Sequence, residues 1–346
     1  MKKYLLPILL AVLGLSSCEE QFELKGSYGD PRMYLECYAG LTDTTFITLY
    51  KAVPVNAPRS NGDAFTVQKL NFTIDGKPAN LTELDNTFYY TTDPVPGGSR
   101  LAVDVQTKET APIHAETTVP AIPTFTTEAS YIPGSTPMIK FHLKMDGEIR
   151  PTDRFGISIR EHVVIKYDNE DDPREYYEDS APVSLDITTT SLSDLLLAAL
   201  MPLPSINVTG YPETIECAFY NGEDFSGREI DVATLITPQE TTWQEYSDWE
   251  EDEDGNYYPT DSVTVTRTDS LSVRVVRLSD ECFGYMNALY NQETDIMAMA
   301  GLSPAHFAYT NVSGGYGVLG GLTLTNSPWY DMFELIGDFN NLVLLY

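Results

Sequence analysis

Apolar side chains recur at every second position along much of this chain, and that period restricts it to strands with one buried and one wetted face. Leu70, Phe72 and Ile74 alternate with Asn71, Thr73 and Asp75, and Leu101, Val103 and Val105 repeat the pattern. Ile139, Phe141, Leu143 and Met145 alternate with Lys140, His142 and Lys144. The same odd positions are apolar through Phe155, Ile157, Ile159, Val163, Ile165 and Tyr167, and again at Leu271, Val273 and Val275. Successive side chains of a strand point to opposite faces, so each such run is a half-buried antiparallel strand. Asp75-Gly76 suits a two-residue hairpin and Pro96-Gly97-Gly98 a tight reversal. The expected fold class is mainly β.

With further strands near Met33–Ala39 and Thr45–Lys51, residues 31–122 read as an immunoglobulin-like antiparallel sandwich. Val119-Pro120-Ala121-Ile122-Pro123 is the linker candidate, because two prolines hold it extended and interrupt sheet pairing. Residues 123–346 then form a second β-rich domain, in keeping with a length of 346 residues that exceeds what one core usually serves. Two short helices interrupt it. Ser193-Asp194 caps Leu195–Met201, which stops at Pro202, and Ser279-Asp280-Glu281 opens a second helix with Cys282, Phe283, Met286, Leu289 and Tyr290 on one face.

The N-terminus carries a different signal. Met1-Lys2-Lys3-Tyr4 is basic and Leu5 to Leu15 an apolar stretch of 11 residues, the size of a secretory h-region and too short to span a bilayer. Leu15-Ser16-Ser17-Cys18 closes it and resembles the lipobox of bacterial lipoproteins, which implies that residues 1–17 are a signal peptide removed at Cys18. In the lipoproteins it resembles that cysteine is diacylated and then N-acylated, and two or more acyl chains anchor a protein stably to a membrane. Residues 18–30 carry Gly26 and Gly29 with few large apolar groups and suit a tether between lipid and fold.

Charge narrows the partners. Lys and Arg number 21 against 51 acids, a net charge of −30, which argues against nucleic acid and against an anionic membrane surface. Hydrophobic residues at 42% place the chain among globular proteins and not among acidic disordered tails. Beyond Cys18, the cysteines are Cys37, Cys217 and Cys282, so at most one disulfide can form, and the spacing does not choose between a bridge and three buried thiols.

Motifs that carry chemistry are few. Gly315-Tyr316-Gly317-Val318-Leu319-Gly320 spells a dinucleotide-loop pattern, but Gly321-Leu322-Thr323-Leu324-Thr325 continues as strand where a phosphate loop must open a helix, so the glycines serve close backbone packing. In the window from Glu250 to Asp261, the acids Glu250, Asp252 and Asp254, then Gly255 and finally Asp261, fall at the spacing of a calcium loop. The competing reading is a solvated hairpin tip turning at Asp254-Gly255. His114, His142, His162 and His306 show no metal-ligand spacing, and no nucleophile elbow occurs. A glycosidase needs only two carboxylates, so counting acids decides nothing there. Tyrosines number 22 against 3 tryptophans, with doublets at Tyr89-Tyr90, Tyr176-Tyr177 and Tyr257-Tyr258. Tyr176, Tyr177, Tyr257 and Tyr258 lie in acidic segments and are candidates for gripping a sugar or peptide, while β-propensity accounts for tyrosine in strands generally.

Taken in order, several pieces resemble the Bacteroidota lipoproteins catalogued as domain of unknown function 4249. After the lipobox come Pro31-Arg32-Met33-Tyr34-Leu35-Glu36-Cys37-Tyr38, Asn71-Phe72-Thr73-Ile74-Asp75-Gly76, and Gly97-Gly98 with Leu101 to Val105 and Ala115 to Pro120. Asp224 to Ile230, Leu278 to Tyr285 and Thr310 to Val318 follow. Tyr316 and Leu319 depart from that pattern, where a leucine and a phenylalanine are expected. The resemblance implies a surface-associated lipoprotein encoded beside TonB-dependent, SusC-like outer-membrane transporters, with no catalytic residues to carry over. Glu19-Glu20, directly after Cys18, are similar to the signal that exports such lipoproteins to the outer face. The expected function is a non-catalytic accessory or capture component of such a transporter, held at the outer membrane by lipid. The alternative is a stand-alone adhesin that binds glycan or peptide.

Overall fold

The alternating segments are strands. The structure is a computed structural model and describes residues 32–52, 66–134, 137–168, 175–180, 185–186, 204–235, 242–251, 257–294 and 309–337. The first region contains β1 (Arg32–Ala39), β2 (Thr45–Ala52), β3 (Val67–Ile74), β4 (Lys77–Pro78), β5 (Thr82–Asp85), β6 (Phe88–Thr91), β7 (Arg100–Thr107) and β8 (Ile113–Thr118). The second begins with β9 (Phe125–Ile132), β10 (Met138–Met145), β11 (Arg154–Asp168), β12 (Glu175–Ser180), β13 (Leu185–Asp186), β14 (Ser205–Ile206), β15 (Ile215–Glu216), β16 (Ala218–Asn221), β17 (Glu229–Leu235), β18 (Thr242–Glu251) and β19 (Tyr257–Leu278). Helix α1 (Asp280–Thr294), β20 (Tyr316–Asn326), β21 (Tyr330–Asp331) and the short helix α2 (Met332–Ile336) complete it. The fold is mainly β, and among the described residues α1 starts where the capping signal at Ser279 places it. The helix expected over Leu195–Met201 lies outside the described residues, and α2, which Asp331 caps by accepting from the Phe333 and Glu334 amides, was not foreseen.

One long sheet runs through both regions in the order β12-β11-β19-β20-β1-β2-β6-β5. Against its first-region end packs the sheet β4-β3-β7-β8, and against its second-region end the sheet β13-β17-β10-β9. Each sandwich buries the apolar parity read from the sequence: Met33, Leu35, Leu101, Val103 and Val105 in one core, Ile139, Phe141, Leu143, Phe155, Ile157 and Val273 in the other. Turn chemistry holds too. Asp75 and Gly76 have φ of 52° and 76°, the left-handed pair that a hairpin of this twist needs, and the Asp75 carboxylate accepts from the Arg100 amide at 2.9 Å.

The two regions meet at β20, which pairs in parallel with β1 from Tyr34↔Tyr316 to Ala39↔Gly321 and antiparallel with β19. Val312 and Leu319 from this late segment lie in the first core. The glycine motif makes the junction possible. A Cβ on Gly317 would stand 1.9 Å from the Leu35 carbonyl oxygen, and φ there is +98°. The motif thus serves close strand packing, within a strand and not at the head of a phosphate-binding helix. The proline segment between the regions is pinned: Val119 is buried, its amide donates to the Ser99 carbonyl at 2.9 Å, and Thr323 donates to the Ala121 carbonyl at 3.1 Å.

Candidate functional site

Because Met33, Leu35, Cys37 and Ala39 enter the first core, the alternate residues Arg32, Tyr34, Glu36 and Tyr38 occupy the outer face of β1. Cross-strand register extends that face. Tyr34 lies opposite Tyr50 of β2 and beside Tyr316 of β20, Glu36 lies opposite Thr48 and beside Val318, and Phe46 of β2 lies opposite Tyr90 of β6. Three tyrosines thus form a row across three strands. Tyr50 and Tyr316 are 52% and 42% exposed, the Tyr34 and Tyr50 rings are tilted with centroids 6.0 Å apart, and the Arg32 guanidinium stands 5.3 Å from the Tyr316 ring centroid.

Farther along β1 the face is roofed. Helix α1 and the β14–β15 hairpin pack over Tyr38, Val318 and Leu322 as a third core containing Ile206, Ile215, Cys282 and Tyr285. Ser279 sets the helix start: its hydroxyl accepts from the Cys282 amide and the Gly321 amide, both at 3.2 Å, which ties the cap to β20. Between roof and open row lies a recess of about 160 Å³, lined by Glu36 and Tyr38 of β1, Tyr285 and Tyr290 of α1, Ser205 of β14 and Asn207 just after it.

Electrostatically the recess is simple. Glu36 is half-buried, and burial pushes its carboxyl above the ordinary 4.5. Among the described residues no cation or hydrogen-bond donor reaches that carboxylate. The Tyr34 and Tyr285 hydroxyls hydrogen-bond to each other. Burial, reinforced by the Glu36 charge, raises the phenols of Tyr34, Tyr38 and Tyr285, so all three remain neutral hydroxyls. The arrangement therefore offers aromatic faces, hydroxyl groups and one negative charge.

The residues singled out from sequence lie elsewhere. Cys18, Glu19 and Glu20 are outside the described residues, as are Asp252 and Asp254. Glu250 and Asp261 belong to the legs of the β18–β19 hairpin, where Glu250 pairs with Tyr258 and Asp261 with Ser247, three rungs apart. No group of three or more potential metal ligands occurs among the described residues. Tyr176 and Tyr177 are in β12, opposite Ile165 and Val164, and Tyr257 is 66% exposed at the start of β19 next to Tyr258. The side chains of Tyr176, Tyr177, Tyr258, Glu250 and Asp261 are outside the description.

Cys37, Cys217 and Cys282 are free and buried, the first in one core and the other two in another, and burial pushes the Cys217 thiol up to about 12. They are core residues and not nucleophiles. His142 bonds Asp231 at 2.7 Å on the β10–β17 ladder and His114 bonds Asp104 at 2.8 Å. His306 is outside the described residues. A second aromatic surface centres on Trp329, 44% exposed, with the Arg160 guanidinium 5.5 Å and the His162 ring 5.4 Å from its ring. Its charges are matched, since Glu213 takes both Arg160 at 3.3 Å and Arg274 at 2.9 Å.

Sequence reading missed Tyr34, Glu36, Tyr38 and Tyr285 as a group. The signal within reach was the polar parity of β1, where arginine, tyrosine, glutamate and tyrosine alternate with buried residues. The family model described as Domain of unknown function (DUF4249) matches residues 19–327, a span that includes every residue lining the recess. No curated protein and no solved structure matches the chain.

Proposed function

The chain belongs to the family described as domain of unknown function 4249, and from that premise we propose that it is a lipid-anchored outer-membrane protein that captures a ligand beside a TonB-dependent transporter without transforming it. The observation that carries the capture role is the Glu36 recess opening beside the row Tyr316–Tyr34–Tyr50. Flat rings with polar tips grip ligands at low cost in side-chain entropy, and a concave site beside them fixes orientation. The anchor rests on the leader ending at Cys18 and the outward address on Glu19-Glu20, and both place the recess where an extracellular ligand meets it. The transporter partnership rests on the resemblance of the ordered motifs.

Recovery of the tagged protein from its native membrane tests the partnership: a TonB-dependent barrel is expected to co-purify, and recovery without one removes that part of the proposal. A second reading, a stand-alone binder of glycan or peptide, is favoured by the same exposed tyrosines. Glycan and peptide arrays probed with the protein separate the two, because a stand-alone adhesin retains a ligand with no barrel present.

A further inference from the structure

We propose that the recess at Glu36 is a binding site for a primary ammonium group, such as a lysine side chain or the free amino terminus of a peptide. The inference rests on the capture reading and names its ligand class. Three observations carry it. The carboxylate is half-buried, yet no cation and no hydrogen-bond donor approaches it among the described residues. Its surroundings are aromatic: Tyr38 from its own strand, Tyr285 and Tyr290 from α1, with Tyr34 bonded to Tyr285 alongside. The volume of about 160 Å³ is that of roughly five waters, enough for an aminoalkyl head.

An ammonium group satisfies each of these. Its charge neutralises Glu36, its N–H groups donate to the carboxylate and to the Tyr38 hydroxyl, and tyrosine faces attract a cation through their quadrupole. A neutral hydroxylated ligand leaves the buried charge uncompensated. A quaternary ammonium gains the ring contacts and forfeits the hydrogen bonds, so a primary amine is preferred. The chain's charge of −30 also draws cations toward its surface. Tyr50 and Tyr316, exposed next to the recess, provide a bed for whatever carries the amine.

Among the described residues the titratable groups lining the recess with Glu36 are the phenols of Tyr38, Tyr285 and Tyr290; Tyr34, Tyr50 and Tyr316 stand on the next rung of the face with Arg32 beyond them, while Ser205 and Asn207 on the third side carry no charge. Affinity therefore falls in acid as Glu36 takes up its own proton.

Calorimetric titration of the detergent-solubilised full chain with Nα-acetyl-lysine amide, glycinamide, tetramethylammonium and neutral hexanamide tests the site. One or both primary amines are expected to bind more tightly than the other two probes, and the better of them tells side chain from amino terminus. Glu36→Gln is expected to weaken that binding about tenfold or more, the scale of one charge-assisted hydrogen bond, with its melting temperature confirming that the variant is folded. Equal binding of hexanamide, unchanged affinity in Glu36→Gln, or no heat from either amine overturns the proposal. If an array glycan still binds in the last case, only the ammonium assignment fails; if no array ligand binds, the capture reading fails with it.

Discussion

Two acids, one in each region, are held in opposite ways: Asp153 between arginines and Glu36 among tyrosines. In the second region several ions are matched: Lys144 meets Glu229 at 2.7 Å across the β10–β17 ladder, Glu213 serves Arg160 and Arg274, and buried Asp153 takes Arg150 at 2.9 Å and Arg277 at 3.2 Å. On the outer face of the first region Glu36 lies among tyrosines without such a partner among the described residues. Cross-strand pairing explains Lys144 and Glu229, which support register and cost little. An unmatched, half-buried acid lowers stability and nothing in the packing requires it. Local departures of that kind concentrate where a protein does its work.

The comparison can be broken first at its hinge. Gly317→Ala puts a Cβ into the Leu35 carbonyl at a left-handed φ, where strain and overpacking together cost about 4 kcal/mol. Thermal unfolding followed by circular dichroism is expected to show a large drop in melting temperature, and an unchanged value means that the β1–β20 junction does not join the regions.

The matched side comes next. Asp153→Ala is expected to cost about 2 kcal/mol in chemical denaturation at pH 7, since it strips Arg277 of its partner beside an exposed Arg150. Burial alone raises the Asp153 carboxyl, but hydrogen bonds from Arg150 and the charge of Arg277 outweigh it and hold the group below its ordinary 3.8. Its contribution is present above that value and lost as pH falls through the depressed one, so the gap between Asp153→Ala and wild type narrows in strong acid.

Glu36 carries the reverse sign and a smaller effect. Below its ordinary 4.5 it is protonated in folded and unfolded chains alike; above, the unfolded chain ionises first and the native state loses stability as pH rises through the raised value. Glu36→Gln is therefore expected to raise the melting temperature by a few degrees at pH 7 and to leave it unchanged in acid, and a lower temperature at pH 7 means that Glu36 has a structural partner. The smallest effect belongs to Lys144→Ala, an exposed half of a matched pair, for which no change in melting temperature is expected.

Much of the fold is legible in the chain. Odd positions from Met33 to Ala39 and from Ile139 to Met145 are core because alternation is a property of each strand by itself. The Ser279 cap and the Asp75-Gly76 hairpin are equally local. The site was only half legible. Arg32, Tyr34, Glu36 and Tyr38 stand in plain alternation, but Tyr285 reaches Tyr34 from 251 residues away, and no local period announces that meeting. The tyrosine doublets drew attention instead because they are adjacent in sequence, and adjacent residues on a strand face opposite ways.

What the sequence alone determined is which residues are strand, which side of each strand is apolar, where the turns and the α1 cap lie, and that its motifs belong to one family. Only the tertiary structure decided that β20 returns to lie in parallel beside β1, that a single sheet serves both cores, and that α1 roofs Tyr38 while leaving Glu36 in a recess. Periodicity follows from backbone geometry within a few residues. The choice of neighbouring strand depends on burying complementary faces across hundreds of residues, and it is that choice which placed an unmatched carboxylate among tyrosines.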